Sequence, residues 1–300
     1  MKNNPFPPHI RKVAVIAPAG REGQDSIMAG CSILNAFGIE TLIMPHVFAG
    51  SSEGYLAAGV DARLADLLQC WCEKDVDLIL CSRGGFGSAH LLPYIDWQLL
   101  RSRPLPLVGY SDITALHMAM YAKNCGPLIA APMCARIKDL SHDDYTFYHY
   151  ARALQENAVP EKLVRPDGTT NLQVLKPGTA SASLFAVNLS VAVTLCGTPF
   201  MPDLTGHILM LEDVSEPVYR LDRYLTQLSQ CGVFGKLGGL MFGTFKECGT
   251  AEEREVLFRR IAGEIPGPVV AGFPFGHTFP FVSIRQGRRV TINADGTVVY

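Results

Sequence analysis

A hydroxyl that is to attack a carbonyl must stand exposed and near positive charge, and Ser111 has the sequence setting for both. It lies in Gly109-Tyr110-Ser111-Asp112, between the apolar run LPLVGY (105–110) and the helical pattern DITALHMAMYAK (112–123). A strand that runs straight into a helix presents the junction residue at the sheet edge, facing the positive helix end. Ser and Asp at such junctions also serve as plain N-caps, so Ser111 reads either as a nucleophile or as a cap. The motif is not the G-x-S-x-G elbow of α/β-hydrolases, because Ile113 stands two residues after the serine.

A serine nucleophile needs a base within hydrogen-bond reach, and the base needs a group that fixes its tautomer. Of the eight histidines, His117 is six residues down the same predicted helix, about 9 Å along its axis, and reads as a core or interface residue. His207 and Glu212 fall on opposite faces of a predicted strand and cannot pair. His9, His142 and His149 lie in the tail and in a connecting segment, while His46 and His90 fit packing positions or the sheet edge. His277, in Phe275-Gly276-His277-Thr278, follows a predicted strand in a loop flanked by Gly and Pro, a common setting for a working side chain.

Glu212 ends the apolar run ILML, and a carboxylate emerging from a buried strand has to be paired or hydrogen-bonded. It reads as part of a site or, equally, as a partner, with Asp213, of Arg220 or Arg223. The turn RGGFG (83–87) offers consecutive backbone N–H groups to an anion or a developing oxyanion, or simply makes a turn. It has neither the Lys-Ser/Thr ending of a P-loop nor the third glycine of a dinucleotide fingerprint.

The elements that must carry these residues alternate strand and helix in the first third of the chain. Strands are expected at 13–20, 41–46, 76–82 and 105–110, with helices at 30–39, 61–73 and 112–123. That alternation implies parallel strands joined by crossover helices, with junctions at the carboxyl edge where ligands bind. From 139 to 171 the composition turns polar and suggests a connecting segment, and the domain boundary is expected near 165. Beyond it, 183–197 and 219–232 read as helices, 206–214 as a strand, and the last sixty residues as a run of short strands closed by a turn at Ala294-Asp295-Gly296. The expected fold is α/β: a parallel-sheet domain over 1–165, carrying Ser111, and a strand-rich domain over 166–300, carrying Glu212 and His277.

Composition limits the function classes. The chain has 300 residues, 48% hydrophobic and 18% charged, against about 25% charged for an average soluble domain, so it is globular rather than disordered. A net charge of −2 with no basic block argues against nucleic acid as a partner. The uncharged stretch 177–202 contains Asn188 and Gly and Pro breaks, and lacks the apolar span of about 20 residues that a membrane helix needs. The start, MKNNPFPPHIRK, has no apolar h-region, and a cytoplasmic location is expected. The nine cysteines are scattered without a C-x-x-C pair and read as buried free thiols, and no His/Asp/Glu cluster has metal-ligand spacing.

Taken together, several blocks resemble the LD-carboxypeptidase family of serine peptidases, which also contains the microcin C self-immunity peptidases. These are VAVIAPAG, YLAAGVDARLADL, VDLILCSRGGFGSAHLLPYIDW, LVGYSDITALHMAMY, LKPG with NLS following, GHILMLEDVSEPVYRLDRYLTQL and FPFGHT. The resemblance implies a Ser-His-Glu triad of Ser111, His277 and Glu212, with an oxyanion hole from the backbone N–H groups of Gly85 and Asp112. It implies a cofactor-free enzyme without metal, a homodimer, acting on a small peptide: a cytoplasmic muropeptide whose terminal D-alanine is removed. Arg83 is then a candidate for the substrate's terminal carboxylate, or a structural ion-pair partner. The sequence departs from the family pattern at Phe86 (more usually tyrosine), at Ala186-Val187 before Asn188 (commonly glycines) and at Thr278-Phe279 after His277. Two other readings remain: an immunity peptidase cleaving an aminoacyl-nucleotide amide, and a non-catalytic module holding an anion on RGGFG.

Overall fold

The computed structural model describes residue 4, residues 6–137 and residues 144–300. The chain divides into two compact units, Met1–Glu156 and Asn157–Tyr300.

In the first unit, strands β1 (Lys12–Ile16), β2 (Glu40–Ile43), β3 (Leu78–Cys81), β4 (Leu107–Val108) and β5 (Leu128–Ala130) stand in the order β5-β4-β3-β1-β2. Every neighbouring pair is parallel. Val13 to Ile16 and all of β3 are buried, as strands covered on both faces must be. The crossovers run through α1 (Gln24–Ala36), α2 (Val60–Cys72), α3 (Trp97–Ser102) and α4 (Thr114–Ala122). Strand order reverses between β1 and β3, which makes their carboxyl ends the switch point where open α/β sheets bind ligands.

In the second unit, β6 (Gln173–Lys176), β7 (Ala180–Asn188), β8 (Ile208–Val214), β9 (Gly239–Lys246), β10 (Val269–Ala271), β12 (Arg289–Ile292) and β13 (Val298–Val299) form one mixed sheet in the order β13-β12-β7-β8-β9-β10-β6; β11 is the short strand Ile284–Arg285. Strands β7 to β10 are parallel, and the flanking pairs are antiparallel. Residues 162–163 also belong here, since Leu163 N–H donates to Val298 O at 2.8 Å.

Several elements differ from the sequence expectation. The run 183–197 is not a helix: its first half is β7, and only Leu189–Val193 is helical. Residues 184–188 are buried between β12 and β8, and a continuous apolar run has no period that separates a central strand from a buried helix. Helix α1 begins at Gln24 rather than near 30, because its N-cap is Gly23, which gives no side-chain signal. The polar stretch expected to connect the domains contains α5 (Asp144–Leu154), whose buried face carries Thr146, His149 and Tyr150; residues 138–143, with His142, lie outside the described residues. The helix Ala251–Ala262 was not anticipated, although T-x-x-E at Thr250 and Glu253 is a helix-start signature. All nine cysteines are free, but Cys72 and Cys231 are exposed, since each closes a helix on its solvent side. Among the described residues no helix is long and apolar enough to cross a membrane.

The helix Ala251–Ala262 packs on β9 through Phe258, which stacks on Phe242 at 3.8 Å. Thr250 N–H donates to the Glu253 carboxylate at 2.9 Å, and Glu253 N–H donates back to Thr250 Oγ1 at 3.2 Å. Removing the hydroxyl with Thr250→Ala is expected to destabilise the fold by about 1 kcal/mol, read as a lower urea midpoint with an unchanged slope.

Candidate functional site

The residues singled out from the sequence fall into two sets, one on each unit. On the first unit Ser111 follows β4 and opens a single 3-10 turn, Ser111–Ile113, that leads into α4. Its backbone is left-handed, with φ at +62°, a conformation a non-glycine residue adopts at a cost and one that concentrates at functional positions. The RGGFG turn packs directly against it. A Cβ on Gly84 would lie 2.8 Å from Ser111 Cβ and 2.9 Å from Ser111 Oγ, so no side chain is possible at 84 while the serine keeps its place.

Asp112 does not cap α4. Its buried carboxylate turns to the Gly-rich turn, where Oδ2 accepts from Ser88 N–H at 2.8 Å, and Ser88 Oγ donates to Asp112 O at 2.6 Å. Burial pushes the Asp112 carboxyl up, and the Ser88 bonds pull it back. Arg83 Nη1 donates to Arg21 O at 3.2 Å and stands 3.8 Å from the Glu22 carboxylate. Arg21, Glu22, Tyr55, Arg83, Gly85 and Phe86 line a cavity of about 790 Å³. This cavity lies at the carboxyl ends of β1 and β3, the switch point identified from strand order.

On the second unit Glu212 and His277, 65 residues apart, meet: His277 Nδ1 is 2.7 Å from Glu212 Oε2. A carboxylate can only accept, so Nδ1 carries a proton, and the neutral form of the ring then has its acceptor lone pair on Nε2. Glu212 is fully buried, and the His277 side chain keeps 18% exposure. The salt bridge to the following helix does not form; Arg220 pairs with Glu216 at 2.9 Å and Arg223 lies over the Tyr219 ring.

Two features of this pairing were not read from the sequence. Asn188, at the end of β7 and in register with Glu212, donates one amide hydrogen to Glu212 Oε1 and the other to Asp213 Oδ1, each at 3.1 Å. Its own carbonyl accepts from Val191 N–H, which caps the short helix after β7. Gly276, with φ at +141°, lies so close to Glu212 and Thr244 that a Cβ there would stand 2.9 Å from Glu212 Oε2 and collide with Thr244 Oγ1. The adjacency Gly276-His277 was the available signal for the second feature; the Asn188 bond depends on strand order, which no local pattern carries.

The remaining histidines take other roles. His117 is buried, and burial pushes it down to about 4, so it stays neutral. His46 pairs with the buried Asp66 at 2.7 Å, and His90 packs edge-on to Phe86. Among the described residues no group of His, Cys, Asp or Glu side chains could hold a metal ion.

Asp213 accepts from Ser190 N–H at 2.8 Å and from Val214 N–H at 2.9 Å, yet burial pushes its carboxyl from 3.8 up to about 6. The folded state therefore binds this proton more tightly than the unfolded chain, and the stability it contributes is full below the unfolded value and lost as pH rises through the folded one. The unfolding free energy of the wild type, measured relative to Asp213→Asn by urea titration, is expected to fall between pH 4 and pH 6 and to level off above. At Ser111 the left-handed backbone makes a second expectation: Ser111→Gly is more stable than Ser111→Ala by about 1 kcal/mol in the same assay.

Comparison with known proteins gives one consistent result. Residues 13–129 match the LD-carboxypeptidase N-terminal domain and residues 181–292 the LD-carboxypeptidase C-terminal domain. A murein tetrapeptide carboxypeptidase of Pseudomonas aeruginosa is 32% identical over 89% of this chain and 88% of its own. Among solved structures, the muramoyltetrapeptide carboxypeptidase of Oxalobacter formigenes superposes with a TM-score of 0.82 at 26% identity, covering 96% of this chain and 97% of that one. An MccF-like protein of Bacillus anthracis shares the fold, with a TM-score of 0.87 at 23% identity over 100% of this chain and 97% of its own.

Proposed function

Because the chain belongs to the LD-carboxypeptidase family, we propose that it is a serine-type LD-carboxypeptidase that releases the terminal D-alanine of a murein tetrapeptide. The observation that carries this reading is the buried Glu212 holding His277 by Nδ1 at 2.7 Å, with Nε2 left to act as a base. The proposal joins this pair to Ser111 as nucleophile.

In the proposed cycle His277 Nε2 takes the Ser111 proton, and the alkoxide attacks the carbonyl of the L-configured residue. Charge develops on the carbonyl oxygen, and the N–H groups of Gly85 and Asp112 receive it; a donor of this kind typically contributes about 2.7–4 kcal/mol to the transition state. His277 then gives its proton to the departing D-alanine nitrogen as the C–N bond breaks, leaving an acyl-serine. Water gives a proton to His277 as it attacks the ester; the bond between the acyl carbon and Ser111 Oγ breaks, the tripeptide leaves as a carboxylate, and Oγ takes the proton back from His277.

The cavity beside Gly85 supports the substrate side of the reading. It carries Arg21 and Arg83 for a carboxylate, and the exposed rings of Tyr55 and Phe86 for the peptide body. Arg83 would pair with the terminal carboxylate of the D-residue by exchanging its long contact to Glu22 for a shorter one. The same reading has the enzyme in the cytoplasm as a homodimer, needing no cofactor.

The test is mass spectrometry of products from L-Ala-γ-D-Glu-meso-diaminopimelate-D-Ala, with an aminoacyl-nucleotide amide as competing substrate. The tetrapeptide is expected to yield D-alanine and tripeptide, and Ser111→Ala, His277→Ala and Glu212→Gln to lose turnover by at least about 10³-fold while staying folded. Turnover of the nucleotide amide alone would move the assignment to the immunity-peptidase chemistry. Full activity in Ser111→Ala would overturn the serine mechanism.

A further inference from the structure

Arg63 is a fully buried arginine of the first unit, and it bonds the Gly-rich turn without lining the cavity. The residue is 1% exposed, and its guanidinium hydrogen-bonds neutral carbonyl oxygens: Nε donates to Ala58 O at 2.9 Å, and Nη1 to Pro18 O at 2.6 Å and to Gly87 O at 2.8 Å. Nη2 has no partner among the described residues. The buried Asp112 carboxylate attracts the cation through space without bonding it, so all of the hydrogen bonds of the guanidinium go to backbone carbonyls.

Those bonds join separate loops. Pro18 belongs to the loop after β1 and Gly87 to the turn after β3, so a single side chain ties the two carboxyl-end loops of the switch point together. Two residues past Pro18, Gly20 N–H donates to Gly84 O at 3.0 Å. The Gly84–Gly85 peptide is planar and trans, so fixing its carbonyl toward Gly20 sends the Gly85 N–H to the opposite side. At the far end of the turn, Ser88 N–H is held by Asp112, the residue after Ser111. The turn is thus fixed at Gly84, at Gly87 and at Ser88; Arg63 makes the second of these contacts itself and holds Pro18, two residues before the Gly20 that makes the first.

We propose that Arg63 is the positioning residue of the oxyanion hole, aiming the Gly85 N–H by bridging the carbonyls of Pro18 and Gly87. This deepens the serine-peptidase reading above and rests on it. Arg63 touches neither substrate nor nucleophile; it acts through the two loops.

The test uses the full chain and a fluorophosphonate probe, whose phosphoryl oxygen takes negative charge as Ser111 attacks, so that no peptide substrate need be known. Arg63→Met and Arg63→Lys are compared with the wild type for labelling rate at Ser111, for kcat and KM on the tetrapeptide, and for thermal midpoint. Both variants are expected to lose about 100-fold in labelling rate and in kcat, with KM held within about threefold. A third variant, Arg63→Ala, is expected to lose as much, and added methylguanidinium to restore part of its rate. Lysine fails in the expectation because one ammonium cannot reproduce the planar fork that reaches three carbonyls. A folded Arg63→Met or Arg63→Lys labelled at the wild-type rate overturns the inference and leaves the serine mechanism standing. A wild type that is not labelled at Ser111 overturns both. A loss of rate that only matches the loss of folded protein, without rescue, makes Arg63 a structural residue and also overturns the inference.

Discussion

A carboxylate with no access to water has to have its lone pairs filled, and Glu212 is such a carboxylate. Much of the second unit's local structure follows from that requirement. The central strand β8 carries it into the sheet, Asn188 reaches it from the neighbouring strand, and the His277 imidazole takes the remaining oxygen. Opposite it, β9 accommodates an extra residue: between the pairs Leu211–Phe242 and Asp213–Phe245 the register slips at Gly243-Thr244. Thr244 N–H then donates to Phe275 O at 2.8 Å, which anchors the segment that delivers Gly276 and His277. A bulge that interrupts a ladder next to a working side chain is a device for aiming it.

The first unit meets a different constraint, close approach between backbones. At the carboxyl edge the loop after β1 meets the turn after β3 at Gly20 and Gly84–Gly85, and that turn meets Ser111 after β4 at Gly84, and side chains are excluded where they cross. What replaces side-chain packing there is hydrogen bonding along the chain itself: Gly20 to Gly84, Ser88 to Asp112 and Arg63 to Pro18 and Gly87. Such an arrangement is stiff because each bond is shielded from water, and stiffness is what a preorganised anion site needs.

The parts of the molecule legible in the sequence were those whose signal is local. The crossover pattern of the first unit, the strand Ile208–Val214 and the helix Val218–Gln230 stand close to where the sequence puts them: the helix has a core face and a solvent face, and the strands, though buried on both faces, are short apolar runs bounded by turn or polar residues. The run 183–197 failed because the strand ending at Asn188 passes directly into the helix Leu189–Val193, so no Gly or Pro marks the change and the apolar run is too long to read as a strand. At the site, residue types and positions could nominate Ser111, Glu212, His277 and the RGGFG turn separately. Nothing local could pair Glu212 with His277 rather than with Arg220, because that choice is made by a loop returning over the sheet 65 residues later.

By itself, the sequence determined the α/β class, the alternation that builds a parallel sheet, the glycines at the crowded turns and, through its motif blocks, the family. Tertiary structure alone decided that Asn188 bridges two carboxylates, that Asp112 turns away from its own helix toward Ser88, and that Arg63 lies beneath the turn, hydrogen-bonded to carbonyls and attracted through space by Asp112. The physical reason is the range of the forces: propensity and hydrophobic period act over a few residues, whereas a buried charge takes its partners from whatever segments the sheet order brings beside it.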